Sequence, residues 1–258
     1  MSSQKEKAER FKALHIKGEP LVLFNIWDAG SAKAVEDAGA KAIATGSWSV
    51  AAAHGYPDGE ALPLELAVEN IRRIVSAVSI PVTLDVEGGY AADADGLRKN
   101  ITRVIEAGAI GINFEDQVVG GEGLYSITEQ SERIAAIREA ADKADVPLFI
   151  NARTDVFLKS MPGPHMSEHV DEALERAAAY ADAGASGLFA PGLRDADLIG
   201  RLCEQSPLPV NIMVMFDTPS VAEMSKLGVA RVSYGPGPYR KMIEWLTEAG
   251  RTAFGRSV

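Results

Sequence analysis

Five carboxylates and a guanidinium fall where apolar runs of this chain give way to polar residues: Asp85 and Glu87 in Thr83-Leu-Asp-Val-Glu-Gly-Gly, Glu115 and Asp116 in Ile112-Asn-Phe-Glu-Asp-Gln, and Arg153 and Asp155 in Asn151-Ala-Arg-Thr-Asp. Bare carboxylates so close to apolar segments repel one another, and a hard divalent cation with oxygen ligands is the simplest thing to hold them together. Oxygen-only ligands favour Mg2+ or Mn2+ over zinc. Arg153 adds a fixed cation for an anionic substrate. The competing account is surface solvation or helix N-capping, which suits Asp116 and Asp155; for Asp85, Glu87 and Glu115 metal binding is preferred.

Such groups act together only if a scaffold brings their segments to one place. A phrase recurs at Glu36-Asp-Ala-Gly-Ala40, Ile105-Glu-Ala-Gly-Ala109 and Ala181-Asp-Ala-Gly-Ala185, with a weaker echo at Lys226-Leu-Gly-Val-Ala230. Each copy ends an amphipathic helical stretch and precedes a short apolar run, the pattern of a helix closed by a left-handed glycine and followed by a buried strand. Strands are expected at Leu21–Ile26, Ala42–Thr45, Val82–Val86, Gly111–Glu115, Leu148–Ala152, Gly187–Ala190, Val210–Val214 and Arg231–Tyr234. Helix-period segments lie between them, including Leu64–Val78, Leu97–Ala107, Thr128–Ala141, Val170–Asp182, Asp195–Glu204 and Pro219–Leu227, and Ser3–Lys17 reads as an added N-terminal helix. Eight β units each followed by a helix fit a single (β/α)8 barrel domain over residues 1–258, whose chemistry sits at the C-terminal strand ends. An open dinucleotide-binding sheet would carry a Gly-rich fingerprint after the first strand, where this chain has Asn25-Ile-Trp-Asp-Ala-Gly30. Long connections are expected at Gly46–Leu62, Gln117–Ile127 and Leu158–Glu168; the second, with Gly120, Gly121 and Gly123, reads as a hinged lid or as a plain surface turn.

The 36 acidic against 26 basic residues give a formal charge of -10, which argues against nucleic acid or an anionic membrane as partner. No apolar leader opens the chain and no stretch is long and apolar enough for a bilayer span, so a cytoplasmic location is expected. A lone cysteine, Cys203, leaves no disulfide framework and no multi-cysteine zinc site.

Thr45-Gly-Ser-Trp-Ser-Val-Ala-Ala-Ala-His-Gly-Tyr-Pro-Asp58, Leu84-Asp-Val-Glu-Gly-Gly-Tyr90, Phe114-Glu-Asp-Gln117, Asn151-Ala-Arg-Thr-Asp155 and Asn211 after Pro-Val resemble, in order and spacing, the isocitrate lyase and phosphoenolpyruvate mutase superfamily. The resemblance runs from about Leu21 to Tyr234. It implies that Asp85 is the principal Mg2+ ligand, with Glu87 at the second acidic position, where the family usually has Asp, and Glu115 holding the metal directly or through water. It implies further that the amides of Gly46, Ser47 and Trp48 grip a carboxylate or phosphonate, that Arg153 binds the same anion, and that Asp58 supports the site from behind. A homodimer or homotetramer, often with the last helix exchanged between subunits, is the implied assembly.

The departures from the family pattern bear on the reaction. Isocitrate and methylisocitrate lyases carry a Lys-Arg/Lys-Cys-Gly-His lid whose cysteine protonates the leaving enolate; here the stretch is Gly120-Gly-Glu-Gly-Leu-Tyr125. Cys203 falls in a predicted outer helix, too far along the chain to replace it. The lysine that follows Glu-Asp in phosphonomutases and the Lys-Thr-Asn-Ser lid are absent, with Gln117 in the lysine's place, and Ala190-Pro191 stands where the family has a glutamate or histidine. The expected activity is therefore Mg2+-dependent C–C cleavage or decarboxylation of a small 2-oxo or 2-hydroxy diacid. Enzymes acting on a P–C bond, and a non-catalytic 2-oxo acid binding barrel, stay open as alternatives. Tyr125 and Glu122 are candidates for the missing acid, against an ordinary packing role in a Gly-rich loop. His54 could assist proton transfer or simply serve a turn, Trp27 and Trp48 could line the pocket, and His15, His165 and His169 are expected in solvent.

Overall fold

The computed structural model describes residues 2–161 and 163–255; the ends of the expected domain and of the tail Gly235–Val258, and one position of the Leu158–Glu168 connection, lie outside them. Eight parallel strands form the barrel: β1 (Leu21–Leu23), β2 (Ile43–Ala44), β3 (Val82–Asp85), β4 (Gly111–Glu115), β5 (Phe149–Arg153), β6 (Gly187–Phe189), β7 (Val210–Met213) and β8 (Arg231–Ser233). From β2 to β8 each pairs with the next in sequence, and β8 pairs with β1. Between β1 and β2 the ring is joined by a single parallel bridge, Ile26 to Thr45, rather than a ladder. Asn25 reinforces that seam: its amide nitrogen donates to the Thr45 carbonyl at 2.9 Å, while its Oδ1 accepts from the amides of Tyr234 and Gly235, each at 2.9 Å.

The helices are α1 (Gln4–Ala13), α2 (Ala29–Asp37), α3 (Ser47–Ala53), α4 (Leu64–Ala77), α5 (Ala94–Glu106), α6 (Ile127–Lys143), α7 (Val156–Lys159), α8 (Ser167–Asp182), α9 (Ala196–Gln205), α10 (Val221–Lys226) and α11 (Gly237–Ala253). Their apolar stripes follow the helical period, as with Leu64, Ala67, Val68, Ile71 and Ile74 on α4, and bury against the outer faces of the strands. The repeated phrase does what its glycine suggests. Gly39, Gly108, Gly184 and Gly228 have φ of 97°, 98°, 100° and 89°, and the residue after each donates back across the last turn, as Ala185 does to the Tyr180 carbonyl at 2.8 Å. A side chain at position 184 would meet strain from the left-handed backbone and a contact of 2.9 Å with Arg138 Cγ.

Several expectations need correction. The connection Gly46–Leu62 contains α3, whose Ala51–Ala53 favour helix once Gly46 has opened its first turn. The segment after β8, which reads from the sequence as a short tail, is a helix of 17 residues, α11. Below the barrel, α1 closes the N-terminal mouth. Phe11 meets Phe149 edge to face at 5.4 Å, and the His15 ring stacks on Phe149 at 4.0 Å, so His15 packs against the floor instead of standing in solvent. Burial and then the nearby charge of Arg231 push its pKa down to about 3, leaving it neutral at ordinary pH. His165 and His169 are not free in solvent either: the first packs against Phe157 at 5.3 Å, and the second accepts from the Met166 amide at 2.8 Å.

Candidate active site

At the C-terminal mouth of the barrel lies a cavity of about 160 Å3, walled by the ends of β3 to β8 and by the segments after β1 and β2. Asp85, Arg153, Asp58, Ser47, Trp48 and Gly46 all line it, so the barrel gathers residues drawn from across about a hundred positions of sequence. Among the lining residues that the sequence did not single out are Asn25, Asn113, Leu158, Phe189, Met213 and Ser233.

One wall is an ion-paired cluster. Arg153 Nε meets Asp155 Oδ1 at 2.6 Å, Nη2 meets Asp155 Oδ2 at 2.8 Å, and Nη1 meets Glu115 Oε2 at 2.8 Å. Burial opposes the guanidinium charge, but Glu115 and Asp155 outweigh it and hold Arg153 firmly protonated. A guanidinium has five N–H donors, so Arg153 still has donors to spare for a bound anion. Asp155 is itself anchored, its amide donating to Asp116 Oδ1 at 2.9 Å. Asp116 Oδ2 accepts from the Tyr180 hydroxyl at 2.9 Å and lies 3.3 Å from Arg176 Nη1. Both aspartates are 0% exposed, which replaces the solvated or N-capping roles expected for them with a buried support for the arginine.

The three expected metal ligands are arranged less symmetrically than their motifs suggest. Asp85 faces the cavity and accepts weakly, from the Ser47 amide at 3.3 Å and the Glu87 amide at 3.4 Å. Glu87, at a left-handed φ of 52°, directs Oε2 to the amides of Gly59 and Glu60, each at 2.8 Å. Glu115 is drawn to Arg153. Each carboxylate engages different donors, and no three His, Cys, Asp or Glu side chains among the described residues have the spacing of a metal cluster. Their charges are nonetheless coupled. Burial, then Asp85 and Asp58, push Glu87 up to about 7, and burial pushes Glu115 up to about 8 with Arg153 pulling the other way. Asp58 is also raised, by burial and then by Asp85. Asp85 thus presents open carboxylate oxygens beside further carboxyl groups, oxygen donors of the kind a hard divalent cation takes.

The remaining predicted residues are scattered. The Gly46 amide donates to the Ile26 carbonyl at 3.3 Å, so of the expected three-amide grip it serves the barrel seam instead. Trp48 roofs the cavity beneath Arg240, whose guanidinium sits 4.6 Å from its ring centroid. Trp27 lies behind the wall, packed with Val50, Ala51, Leu62 and Ala67 and edge-on to Tyr239 at 5.0 Å. Asn211 sits just under the cavity, accepting from the Ser233 hydroxyl at 3.1 Å. Glu122 is exposed, and Tyr125 is covered by the Arg133 guanidinium 4.1 Å from its ring; neither lines the cavity. His54 is exposed at the end of α3, its Nδ1 on the Val50 carbonyl at 2.9 Å. Cys203 is buried on α9, outside the site.

Comparison with known proteins finds relatives over nearly the whole chain. The family model described as phosphoenolpyruvate phosphomutase matches residues 11–254. The 2-methylisocitrate lyase of Escherichia coli (strain K12) is 31% identical over 242 residues, 90% of this chain and 79% of the relative. A solved protein of Burkholderia cenocepacia J2315, provisionally named a phosphonomutase, is 49% identical with a TM-score of 0.93, covering 98% of this chain and 100% of its own. A phosphonopyruvate hydrolase solved with oxalate and Mg2+ is 25% identical with a TM-score of 0.83, over 97% of this chain and 88% of its own.

Proposed function

This chain belongs to the phosphoenolpyruvate phosphomutase family, within the isocitrate lyase superfamily, and from that premise we propose that it is a Mg2+-dependent carbon–carbon lyase or decarboxylase acting on a small 2-oxo diacid such as oxaloacetate. The observation that carries the reading is the small cavity onto which both the Asp85 carboxylate and the Arg153 guanidinium open. Asp85 would hold the ion, with Glu87 and Glu115 contributing directly or through water. Mg2+ supplies Lewis-acid stabilisation of the negative charge that builds on a 2-oxo acid as its C–C bond breaks. Arg153 binds a carboxylate of the substrate with the donors that Asp155 and Glu115 leave free, and the Asp116 support keeps it from swinging away. Trp48, Leu158, Phe189 and Pro191 present apolar surface that excludes water and strengthens those charge contacts.

Two features favour oxaloacetate over isocitrate or methylisocitrate. The cavity has room for roughly five water molecules at liquid volume, which suits a compact acid, and neither Tyr125 nor Glu122 reaches it to replace the lid cysteine. A P–C bond enzyme is the second reading, supported by the phosphonomutase-named relative at 49% identity. Calorimetry with Mg2+ and oxalate should show binding that Asp85→Ala weakens by at least about tenfold, or about 1.4 kcal/mol. Coupled assays with oxaloacetate, isocitrate and phosphonopyruvate then separate the reactions, and ready release of glyoxylate from isocitrate with oxaloacetate untouched would sink the lyase reading in its present form.

The homo-oligomer belongs to the same proposal. Ile243, Leu246, Trp245 and Phe254, on and just beyond α11, are 39%, 53%, 68% and 80% exposed. Beside β1 an apolar groove of about 570 Å3 leaves Val22 and Phe24 uncovered on the same chain. A second copy laying its α11 into that groove would cover both surfaces, and a monomer in light scattering would refute the assembly. Among the described residues no helix is long and apolar enough to cross a membrane.

A further inference from the structure

We infer that Asn113, on the floor of the cavity, contacts the substrate as a hydrogen-bond donor, and that Arg231 beneath it is the positioning residue that turns the donor end of the amide upward. The inference rests on the proposed function and adds to it the group that meets a substrate oxygen beside Asp85.

Asn113 is 4% exposed, lines the cavity, and stands beside Asp85 in the β3–β4 register. Its Oδ1 accepts two hydrogen bonds, from Asn151 Nδ2 at 2.9 Å and from Arg231 Nη2 at 3.1 Å. An isolated carboxamide could be rotated to exchange its oxygen and nitrogen, and a pair of asparagines could exchange together. The guanidinium removes that freedom, because arginine has donors and no acceptor. Rotation would set the Asn113 NH2 against a buried N–H of Arg231 and would cost that arginine its one side-chain hydrogen bond among the described residues. The Asn113 nitrogen therefore occupies the other end of the amide, and among the described residues it has no partner. A donor without an acceptor on a cavity floor calls for a ligand oxygen.

Arg231 is otherwise hard to account for. It is 1% exposed, and among the described residues its Nε and Nη1 have no partner and no carboxylate forms an ion pair with it. A buried, unpaired charge is costly to the fold. Placed below Asn113, its positive field points at the floor and favours an anionic oxygen there. The substrate group recognised is thus a carboxylate or enolate oxygen. A neutral carboxamide stabilises such an oxygen without surrendering a proton, in keeping with a site that lacks the lid cysteine.

Calorimetry with Mg2+ and oxalate decides the point, with thermal melts as the control for folding. Asn113→Ala should weaken oxalate by about tenfold to a hundredfold, the range for a hydrogen bond to a charged group. Asn113→Asp should weaken it further although it gives Arg231 a counter-ion, because the oxygen now facing the cavity is an acceptor bearing charge. A purely structural role predicts the reverse order, with Asn113→Asp closer to wild type than Asn113→Ala. Arg231→Met should weaken oxalate while the protein stays folded, and Arg231→Lys should restore part of the loss. Unchanged oxalate affinity in Asn113→Ala, or Asn113→Asp binding as tightly as wild type, overturns the inference alone. Wild-type protein that binds no oxalate with Mg2+ overturns the proposed function and this inference with it.

Discussion

Arg153 and Arg231 are both sequestered in the same barrel, yet the two sides they occupy follow opposite rules. On the β4–β5 side, Arg153 is clamped by Glu115 and Asp155, and Asp155 rests on Asp116, which Tyr180 and Arg176 hold in turn. On the β8 side, the Arg231 side chain has one hydrogen bond among the described residues, to a neutral amide. The first arrangement stabilises by closing a network, and removing any member strands a buried charge. The second leaves a charge open, which costs stability and is useful only if something arriving in the cavity feels it. A paired arginine marks structure and grip together, while an unpaired one marks function more sharply.

The contrast is open to attack from its strongest point downward. Arg153→Met should lower stability by ~3–5 kcal/mol, because Glu115 and Asp155 lose their counter-charge, and should abolish detectable oxalate binding; urea unfolding and calorimetry measure both. A change below about 1 kcal/mol would show that the network is slack. A smaller effect concerns the floor. His15 has its pKa lowered in the folded state, so its contribution to stability is fully present above about 6.5 and is lost as pH falls toward about 3. Replacing it, as His15→Phe, should flatten the stability curve across that interval by up to about 1.4 kcal/mol per pH unit. Identical pH profiles for the two proteins would mean that the ring is already charged on its Phe149 stack. The smallest effect is the most pointed: Arg231→Met should leave stability within about 1 kcal/mol of wild type or raise it, since an apolar chain of similar length replaces an unpaired ion. A loss as large as that of Arg153→Met would erase the distinction between the two sides.

The same division explains what could be read from the sequence. The strand ends carrying Asp85 and Arg153 were legible because acidic and basic residues interrupt apolar runs there, and the Asp-Ala-Gly-Ala turns made the barrel legible around them. Strand lengths were less so: the run Leu21–Ile26 leaves the ladder after Leu23, because the chain must cross to β2 and meets it only at Ile26. The burial of Asp116 was hidden, since its partners Arg176 and Tyr180 lie on α8, far along the chain, and with it that of Asp155, whose amide donates to Asp116. Asn113 and Arg231 gave no signal at all. A single asparagine in Gly-Ile-Asn-Phe-Glu and an arginine opening Arg-Val-Ser read as strand edges until the barrel closes and sets them together.

The seam at β1 and β2 has a thermal consequence. Where β4 and β5 share five register pairs, this junction has one bridge and the side chain of Asn25. Local opening follows the fewest buried hydrogen bonds, so the ring should breathe there first, like a bracelet at its clasp. Asn25 and Gly46 belong both to the clasp and to the cavity wall. Whatever fills the cavity therefore fastens the barrel, and an empty site is also the place where the fold begins to come apart.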